Sequence, residues 1–577
     1  MRVSIHPFLI ASLMAFGCQS GSSSPEARPD AGGGITDGGL PDTPPEVAYL
    51  SPTDHLIRAS MALRGIRPSI AELEQVRTDP TALPDIVDGY LDSPQFGATM
   101  RDLHNEALLT RWSNLPFIAT DELADAQTGH MQASLGEEPL RLVEHVVMND
   151  RPYTEIVTAD YTMADDVVAT AYGLPYDADG PTWQVTHYKD GRPAAGVLST
   201  TAFFIRHRSA GQNFNRGRAN AVSKALLCTD FLDRDVVLDT SIDLSDPEVV
   251  ANAVVENQAC ASCHQSLDPL ASFMFGFKKN LIAAQIRKTG YPLVDFFNPD
   301  QVNRWKRTNH RSPGYFGLAG NSLSDLGQLI ADDPRFSLCA ADRFYSFFNQ
   351  VDLADVPLGA AAHLQQLFID SGYSAKALAR AVVLSDAFRI SHAKDEMSSY
   401  VVGIKKASPE QLSRMFFNLT GFRWVTVSNV NLRGGPVGRV DLLTDDTVGF
   451  SVLAGGLDSF FVTEPSHTTN ATSSLVLRNL AANAAGFVVT ADFDTADAGA
   501  RHLLTLVGPK VRDEARIRAQ LVALFERLYG EFETADSEAI DQAYALFQST
   551  LERTSSVPHA WKTTLTAMLQ DLRIATY

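Results

Sequence analysis

The segment NQACASCHQSLDPLASF, residues 257–273, contains the most informative pattern in the chain. Cys260 and Cys263 are separated by two small residues, and His264 follows directly. Two thiols one helical turn apart, with a histidine beside the second, are the arrangement that attaches a c-type haem. The thiols bond to the porphyrin, and the imidazole binds its iron. The segment therefore predicts one haem c, with His264 as the proximal iron ligand.

Two other uses of this pattern stay open. A structural zinc site needs four ligands, but the sequence has no second CxxC pair and no His-x(3–5)-His pair nearby. A thioredoxin-type dithiol follows a strand, whereas residues 246–258 have apolar side chains at helical spacing. We therefore favour haem. We expect the motif at the end of that helix or on a helical turn, with Nδ1 of His264 held by a backbone carbonyl of residues 267–269.

The sixth iron ligand has three candidates. His310, in RWKRTNH, is spaced for a loop to return over the haem, and Met274, in LASFMFGF, would supply a thioether. Each has a structural alternative, because His310 lies in a polar segment and Met274 stands among phenylalanines typical of a core. His207 is the third candidate. A protein ligand would favour electron transfer, and an open position would favour small-molecule chemistry.

The N-terminus predicts export and a lipid anchor. An apolar run, FLIASLMAF at residues 8–16, has the length of a signal peptide. It leads into Ala15-Phe16-Gly17-Cys18, which resembles a bacterial lipobox with Cys18 as the lipidated residue; an ordinary secretory signal is the alternative. The Gly-, Ser- and Pro-rich residues after it predict a flexible linker. Gln19 after the cysteine favours the outer membrane by resemblance to known sorting, so we expect a cell-envelope protein.

Two further cysteines, Cys228 and Cys339, are left when Cys18 is assigned to lipidation and Cys260 and Cys263 are assigned to haem attachment. In an exported protein they can pair as a disulfide, and the closed loop would enclose the CxxCH segment. Two separate buried thiols are the alternative.

Charge and size limit the remaining choices. The 577 residues carry a formal net charge of −20, which repels phosphate backbones, so we expect no nucleic-acid partner. The apolar content of 45% suits a globular protein, and the length exceeds one ordinary core. The expected partners are a membrane, through the lipid anchor, and a redox protein.

Residues around the motif resemble a set of domains of unknown function in exported cytochrome c-like proteins of planctomycetes and myxobacteria. The similar stretches are GVLSTTAFFIRHRSAGQNFNRGRANAVSKALLC, ACASCHQSLDPLASFMFGF and LSDLGQLIADDPRFSLCAADRFYSFF. The positions that match the family's pattern are Gly196, Leu198, Arg216, Gly217, Cys228, Leu267, Asp268, Pro269 and Cys339. The similarity covers roughly residues 50–395. It implies haem binding and an exported setting, and it implies no substrate.

We predict a mainly α fold, a multi-helix scaffold with an embedded cytochrome c-like segment and a C-terminal helical domain. The predicted parts are a signal peptide 1–18, a linker 19–48, a helical domain 49–190, a haem-binding region 191–395 and a helical domain 405–577. Ser69 and Glu72 predict a capping box. The alternating segment RWVTVSNVNL, residues 423–432, predicts a short β-hairpin.

The expected function is that of a surface-anchored c-type haem lipoprotein that transfers single electrons or performs redox chemistry in the cell envelope. A haem enzyme with an open iron site, such as a peroxidase, is one alternative. A surface binding or structural module with a structural haem is another. The sequence does not decide whether the protein is an enzyme.

Overall fold

The computed structural model describes residues 47–112, 123, 128–209, 213–233, 242–243, 245–278, 296–393, 402–428 and 438–577. The predicted signal peptide, Cys18 and the predicted linker up to residue 46 lie outside the described residues. Glu46–Tyr577 form one compact unit, and the boundaries predicted near residues 190 and 400 fall inside it.

Helices dominate the described residues, which confirms the predicted mainly α class. The N-terminal helices are α1 Pro52–Arg64, α2 Ile70–Thr78, α3 Leu83–Leu91, α4 Pro94–Leu108, α5 Thr128–Met148, α6 Glu155–Thr158 and α7 Asp166–Tyr172. The central helices are α8 Thr201–Arg206, α9 Arg216–Leu227, α10 Pro247–Glu256, α11 Gln258–Ser272, α12 Leu323–Ala331, α13 Pro334–Asn349, α14 Leu358–Asp370, α15 Ala375–Val383 and α16 Asp386–Arg389. The C-terminal helices are α17 Pro409–Thr420, α18 Ser451–Ala454, α19 Ala471–Asp494, α20 Glu514–Tyr529, α21 Glu538–Thr554, α22 Val557–Leu569 and α23 Leu572–Ala575.

The strands of the described residues form four separate antiparallel pairs. The pairs are β1 Val47–Tyr49 with β6 Ile390–Ala393, β2 Thr162–Ala164 with β3 Gln184–Thr186, β4 Gly314–Tyr315 with β5 Leu318–Ala319, and β7 Val425–Ser428 with β8 Gly438–Asp441. The β7–β8 pair is the hairpin that the alternating segment predicted. Strand β1 begins inside the last two residues of the predicted linker.

Local capping explains where several helices begin. Ser69 accepts a hydrogen bond from the backbone N–H of Glu72, whose carboxylate accepts from the N–H of Ser69, so the predicted capping box is present. The same reciprocal contact between Ser408 and Gln411 starts α17. Each box satisfies N–H groups that the first helical turn leaves without a partner.

Four segments of the chain meet in what we call the terminal seam: residues 47–67, 383–393, 402–407 and 573–577. Strand β1 pairs with β6 there, and the backbones of Lys405 and Tyr577 exchange two hydrogen bonds of 2.8 and 2.9 Å. Arg58, only 2% exposed, donates 2.8 Å hydrogen bonds to the carbonyls of Phe388 and Ile390, and a further one to Gly403. The seam therefore ties the N-terminal helices to the C-terminal ones.

One helix among the described residues, α19, has the length and mean hydropathy, 1.2, needed to cross a membrane. Its buried residues, such as Val476, Leu480, Ala484 and Val488, recur at four-residue spacing and pack against α22. Such a stripe is typical of a helix with one face in a protein core.

The motif helix α11 lies against α9, α10 and the β4 strand. Cys228 at the end of α9 and Cys339 in α13 have their sulfur atoms at bonding distance, 2.03 Å, so a disulfide connects these two helices. The bridge closes a sequence separation of 111 residues, and α11 lies within that stretch.

Candidate functional site

The CxxCH motif lies in the first two turns of its own helix, α11. Asn257 separates α10 from α11 and caps the N-terminus of α11. Its side-chain oxygen accepts hydrogen bonds from the N–H groups of Ala259, at 3.0 Å, and Cys260, at 3.3 Å. An asparagine in this role satisfies N–H groups at the helix start. The CxxCH motif therefore does not lie at the end of the preceding helix, which was one expected placement. It lies on a helical turn, which was the other.

Cys260 and Cys263 are both free thiols and both are partly exposed. Residues three apart on a helix lie on the same face, about 5–6 Å apart at their Cβ atoms. The neighbouring Ser262 turns its hydroxyl back to the carbonyl of Ala259, at 2.7 Å. Two reachable thiols on one face, with small neighbours, fit the attachment of a porphyrin through two sulfur atoms.

His264 is fixed by a carboxylate. Its Nδ1 lies 3.0 Å from Oδ1 of Asp268, one turn further along α11. The imidazole is 22% exposed, whereas the Asp268 side chain is 1% exposed. An ionised carboxylate only accepts hydrogen bonds, so Nδ1 is the donor in this contact and Nε2 takes no part in it. The expectation that a backbone carbonyl holds Nδ1 of His264 is therefore wrong, because the partner is the Asp268 carboxylate. Nε2 is still the nitrogen left to bind a metal, as expected.

Arg216, the first residue of α9, holds the other side of Asp268. Its Nε donates to Oδ1 at 2.6 Å and its Nη2 donates to Oδ2 at 3.1 Å. Burial opposes ionisation of Asp268, but the hydrogen bonds from His264 and Arg216, together with the positive charge of Arg216, hold its pKa below the usual value. The carboxylate therefore stays ionised between two donors.

Backbone contacts fix the second half of α11. The carbonyl of Asp268 accepts from Oγ of Ser272, at 2.9 Å, and from Nδ2 of Asn309, at 3.2 Å. Arg311 adds a 3.2 Å hydrogen bond to the carbonyl of Val254 in α10. The segment after the 3₁₀ helix Pro299–Arg307 is thus attached to both helices of the site.

The three candidate sixth ligands have different surroundings. Met274 is fully buried in the hydrophobic core. His207 lies 3.1 Å through Nε2 from the carbonyl of Leu108, and burial together with the charge of Arg206 lowers its pKa to about 3. His310 is exposed, with its backbone in the left-handed region at φ 52°. His310 directly follows Asn309, whose side chain donates to the Asp268 carbonyl of α11. It is therefore the candidate in the loop segment that is bonded to the motif helix.

Sequence reasoning missed the roles of Arg216, Asp268 and Asn309. Arg216 appeared only as a position of a family pattern, and Asp268 appeared there and as one of three backbone carbonyls expected to hold Nδ1 of His264. The four-residue spacing of His264 and Asp268 was a usable signal, since side chains four apart on a helix are neighbours. No local signal links Arg216 or Asn309 to the motif, because 52 and 41 residues separate them from Asp268.

Comparison with known proteins covers a different part of the chain. Residues 70–174 match the family PSD4, described as a protein of unknown function (DUF1592). The matched segment runs from the start of α2 to just beyond α7 and ends before the CxxCH motif. No curated protein and no solved structure matches the chain. The expected architecture of domains of unknown function is thus present in this segment, and the cytochrome c-like resemblance of residues 191–395 stays a prediction.

Proposed function

We propose that this protein is a lipid-anchored c-type haem protein of the cell envelope that transfers single electrons. The observation that supports the proposal most is the arrangement on α11. Two free, partly exposed thiols share one helix face, and the adjacent His264 has its Nδ1 bonded to Asp268. These groups match the attachment chemistry of haem c one by one.

Each residue has a defined role in this proposal. Cys260 and Cys263 would hold the porphyrin through thioether bonds, and His264 would bind iron through Nε2. Bound haem would supply one-electron redox chemistry. Asp268 accepts from Nδ1 of His264 and so leaves Nε2 as the nitrogen that would bind a metal. The disulfide between Cys228 and Cys339 uses the two thiols that could otherwise pair wrongly with the motif.

The decisive experiment is a haem stain after denaturing electrophoresis of protein matured in a host with a cytochrome c assembly system. We expect the wild-type chain to stain and the Cys260→Ala/Cys263→Ala variant to lose all stain. Ser262→Ala is the matched control, because Ser262 lies between the thiols and bonds only locally; it should stain like the wild type. An unstained wild-type chain beside a stained reference cytochrome would contradict the proposal.

A haem enzyme with an open iron position is the second candidate function. It is favoured by the burial of Met274 and by the hydrogen bond that occupies Nε2 of His207. Optical spectra separate the two functions. A low-spin ferric spectrum that becomes high-spin in His310→Ala supports electron transfer with His310 as the sixth ligand. A high-spin wild-type spectrum that changes when cyanide is added supports the enzyme.

The anchor is tested separately through Cys18, which lies outside the described residues. We expect the wild-type protein in the outer-membrane fraction and Cys18→Ser in the soluble fraction, since the lipidated residue is replaced. Equal distribution of both proteins would contradict lipidation and leave the haem proposal untouched.

A further inference from the structure

The contact between His264 and Asp268 has a consequence for the iron ligand itself. We propose that Asp268, held by Arg216, is the positioning residue that orients the His264 imidazole and strengthens its Nε2 as an electron donor to iron. The inference rests on the proposed haem function. It adds how the chain sets the redox potential and which two residues do so.

The geometry restricts where the Asp268 carboxylate can lie. The side chain is 1% exposed, and its two oxygen atoms are held by the two Arg216 nitrogens at 2.6 and 3.1 Å. The backbone of the same residue is held through its carbonyl by Asn309 and Ser272. The carboxylate therefore meets Nδ1 of His264 in a fixed position, and the imidazole plane is set before iron binds.

The partner's charge matters as much as its position. A hydrogen bond to an ionised acceptor is about twice as strong as one between neutral groups. A carboxylate partner on the far nitrogen makes a histidine ligand more basic, and a more basic ligand stabilises ferric over ferrous iron. The bond lies in a mostly buried region of low dielectric, where such effects grow. A carbonyl partner, which the sequence predicted, would act more weakly.

Arg216 opposes this effect in part. Its guanidinium shares the negative charge of Asp268, so less of that charge polarises His264. Replacing Asp268 and replacing Arg216 should therefore shift the haem midpoint potential in opposite directions. A purely structural ion pair between α9 and α11 predicts no such opposition, because either substitution would only loosen the helices.

The test compares the midpoint potentials of the haem-loaded full-length chain and its variants. Asp268→Asn should favour the ferrous form by about tenfold or more, which is about 59 mV for a one-electron couple. Its iron–imidazole stretching frequency in the resonance Raman spectrum should fall. Arg216→Gln should shift the potential the other way. Asp246→Asn, which removes a carboxylate from the cap of α10 while keeping a capping side chain, should leave both readouts unchanged.

Unchanged potential and Raman frequency in Asp268→Asn would overturn the inference, as would shifts of the same sign in both variants. A second measurement tests the inference even if a variant attaches no haem. In the haem-free chain, imidazole nitrogen-15 chemical shifts of His264, assigned by difference from His264→Gln, should report the Nδ1–H tautomer and a mixture after Asp268→Asn. Identical tautomers would overturn the inference. A wild-type chain without haem stain refutes the proposed function instead, and the nitrogen shifts still test the contact.

Discussion

The motif helix α11 and the terminal seam differ in the exposure of their polar side chains. On α11 the thiols and the imidazole stay partly exposed, and a single buried carboxylate meets two donors. In the seam, buried side-chain nitrogen donors are matched with backbone carbonyls from distant parts of the chain. Arg58 reaches Phe388, Ile390 and Gly403, and Nζ of Lys405 donates to the carbonyl of Asn349 at 2.8 Å.

The difference separates function from stability. A group that must react or bind a cofactor has to stay reachable, so it adds little to the free energy of unfolding. A cation buried against carbonyls does the reverse, because every group left without a partner is costly to bury. Substitutions in the seam should therefore unfold the protein while the motif tolerates change.

The largest effect is expected for Arg58→Met. Two buried carbonyls and one partly buried carbonyl would lose this donor, at roughly 1–3 kcal/mol each, so the free energy of unfolding should fall by about 5 kcal/mol. The measurement is urea denaturation followed by circular dichroism. Arg311→Met is the matched change at the site, where one carbonyl loses a partly exposed donor, and about 1 kcal/mol is expected. Equal losses would contradict the division between the two regions.

The two cysteine pairs should also differ. Removing the Cys228–Cys339 bridge by a double alanine substitution should lower the free energy of unfolding by about 4 kcal/mol, because the bridge closes a long loop in the unfolded chain. Cys260→Ala/Cys263→Ala, compared in the haem-free chain, should change it by less than about 1 kcal/mol, as is usual for partly exposed positions. A larger loss at the motif would mean that the thiols support the fold.

Two glycines, one in the seam and one beside the candidate site, should differ in how well they tolerate an added Cβ atom. A Cβ at Gly403 in the seam would lie 1.9 Å from the carbonyl oxygen of Ser391, so Gly403→Ala should cost about 2–3 kcal/mol. A Cβ at Gly217, beside Arg216 in α9, would meet its nearest atom at 3.6 Å. Gly217→Ala should therefore be neutral or stabilise by up to about 1 kcal/mol. Thermal unfolding of both variants checks this, and a stable Gly403→Ala would show that the seam can adjust.

The smallest effect concerns pH. Burial, reinforced by the charge of Arg58, lowers the pKa of Lys405 well below its usual value. Between that lowered pKa and about 10.4 the unfolded chain binds more protons, so the free energy of unfolding rises with pH, by at most about 1.4 kcal/mol per unit. Lys405→Met removes this contribution. Over a series of pH values below about 10.4, the free energy of unfolding should therefore rise more steeply for the wild type in part of the range, and parallel curves throughout would contradict the assignment.

Local sequence signals predicted local features well. The Ser69 and Glu72 capping box and the β7–β8 hairpin both depend on residues that are close together in the sequence. The start of α11 was missed because Asn257 was treated as part of one longer helix. Its cap was nonetheless a readable signal, since asparagine is a preferred residue at helix starts.

Features that join distant segments were not predictable in the same way. Nothing near Arg58 identifies the carbonyls of Phe388 and Ile390 as its acceptors, and nothing near Asp268 identifies Arg216. The predicted boundary near residue 400 falls inside one compact unit, and the seam joins the segments on both sides of it. Residues 47–67 and 573–577 contact the same stretch around residue 405, although hundreds of residues separate them.

By itself, the sequence determined the helical class, the caps and the order of two thiols and a histidine, because these depend on side chains adjacent along the chain or one turn apart. The tertiary structure alone decided which cations meet which carbonyls, where the predicted sixth-ligand candidates lie, and that an arginine of α9 holds the aspartate behind His264. Those contacts arise only when folding brings distant segments together, since partners for buried polar groups are selected by position in space.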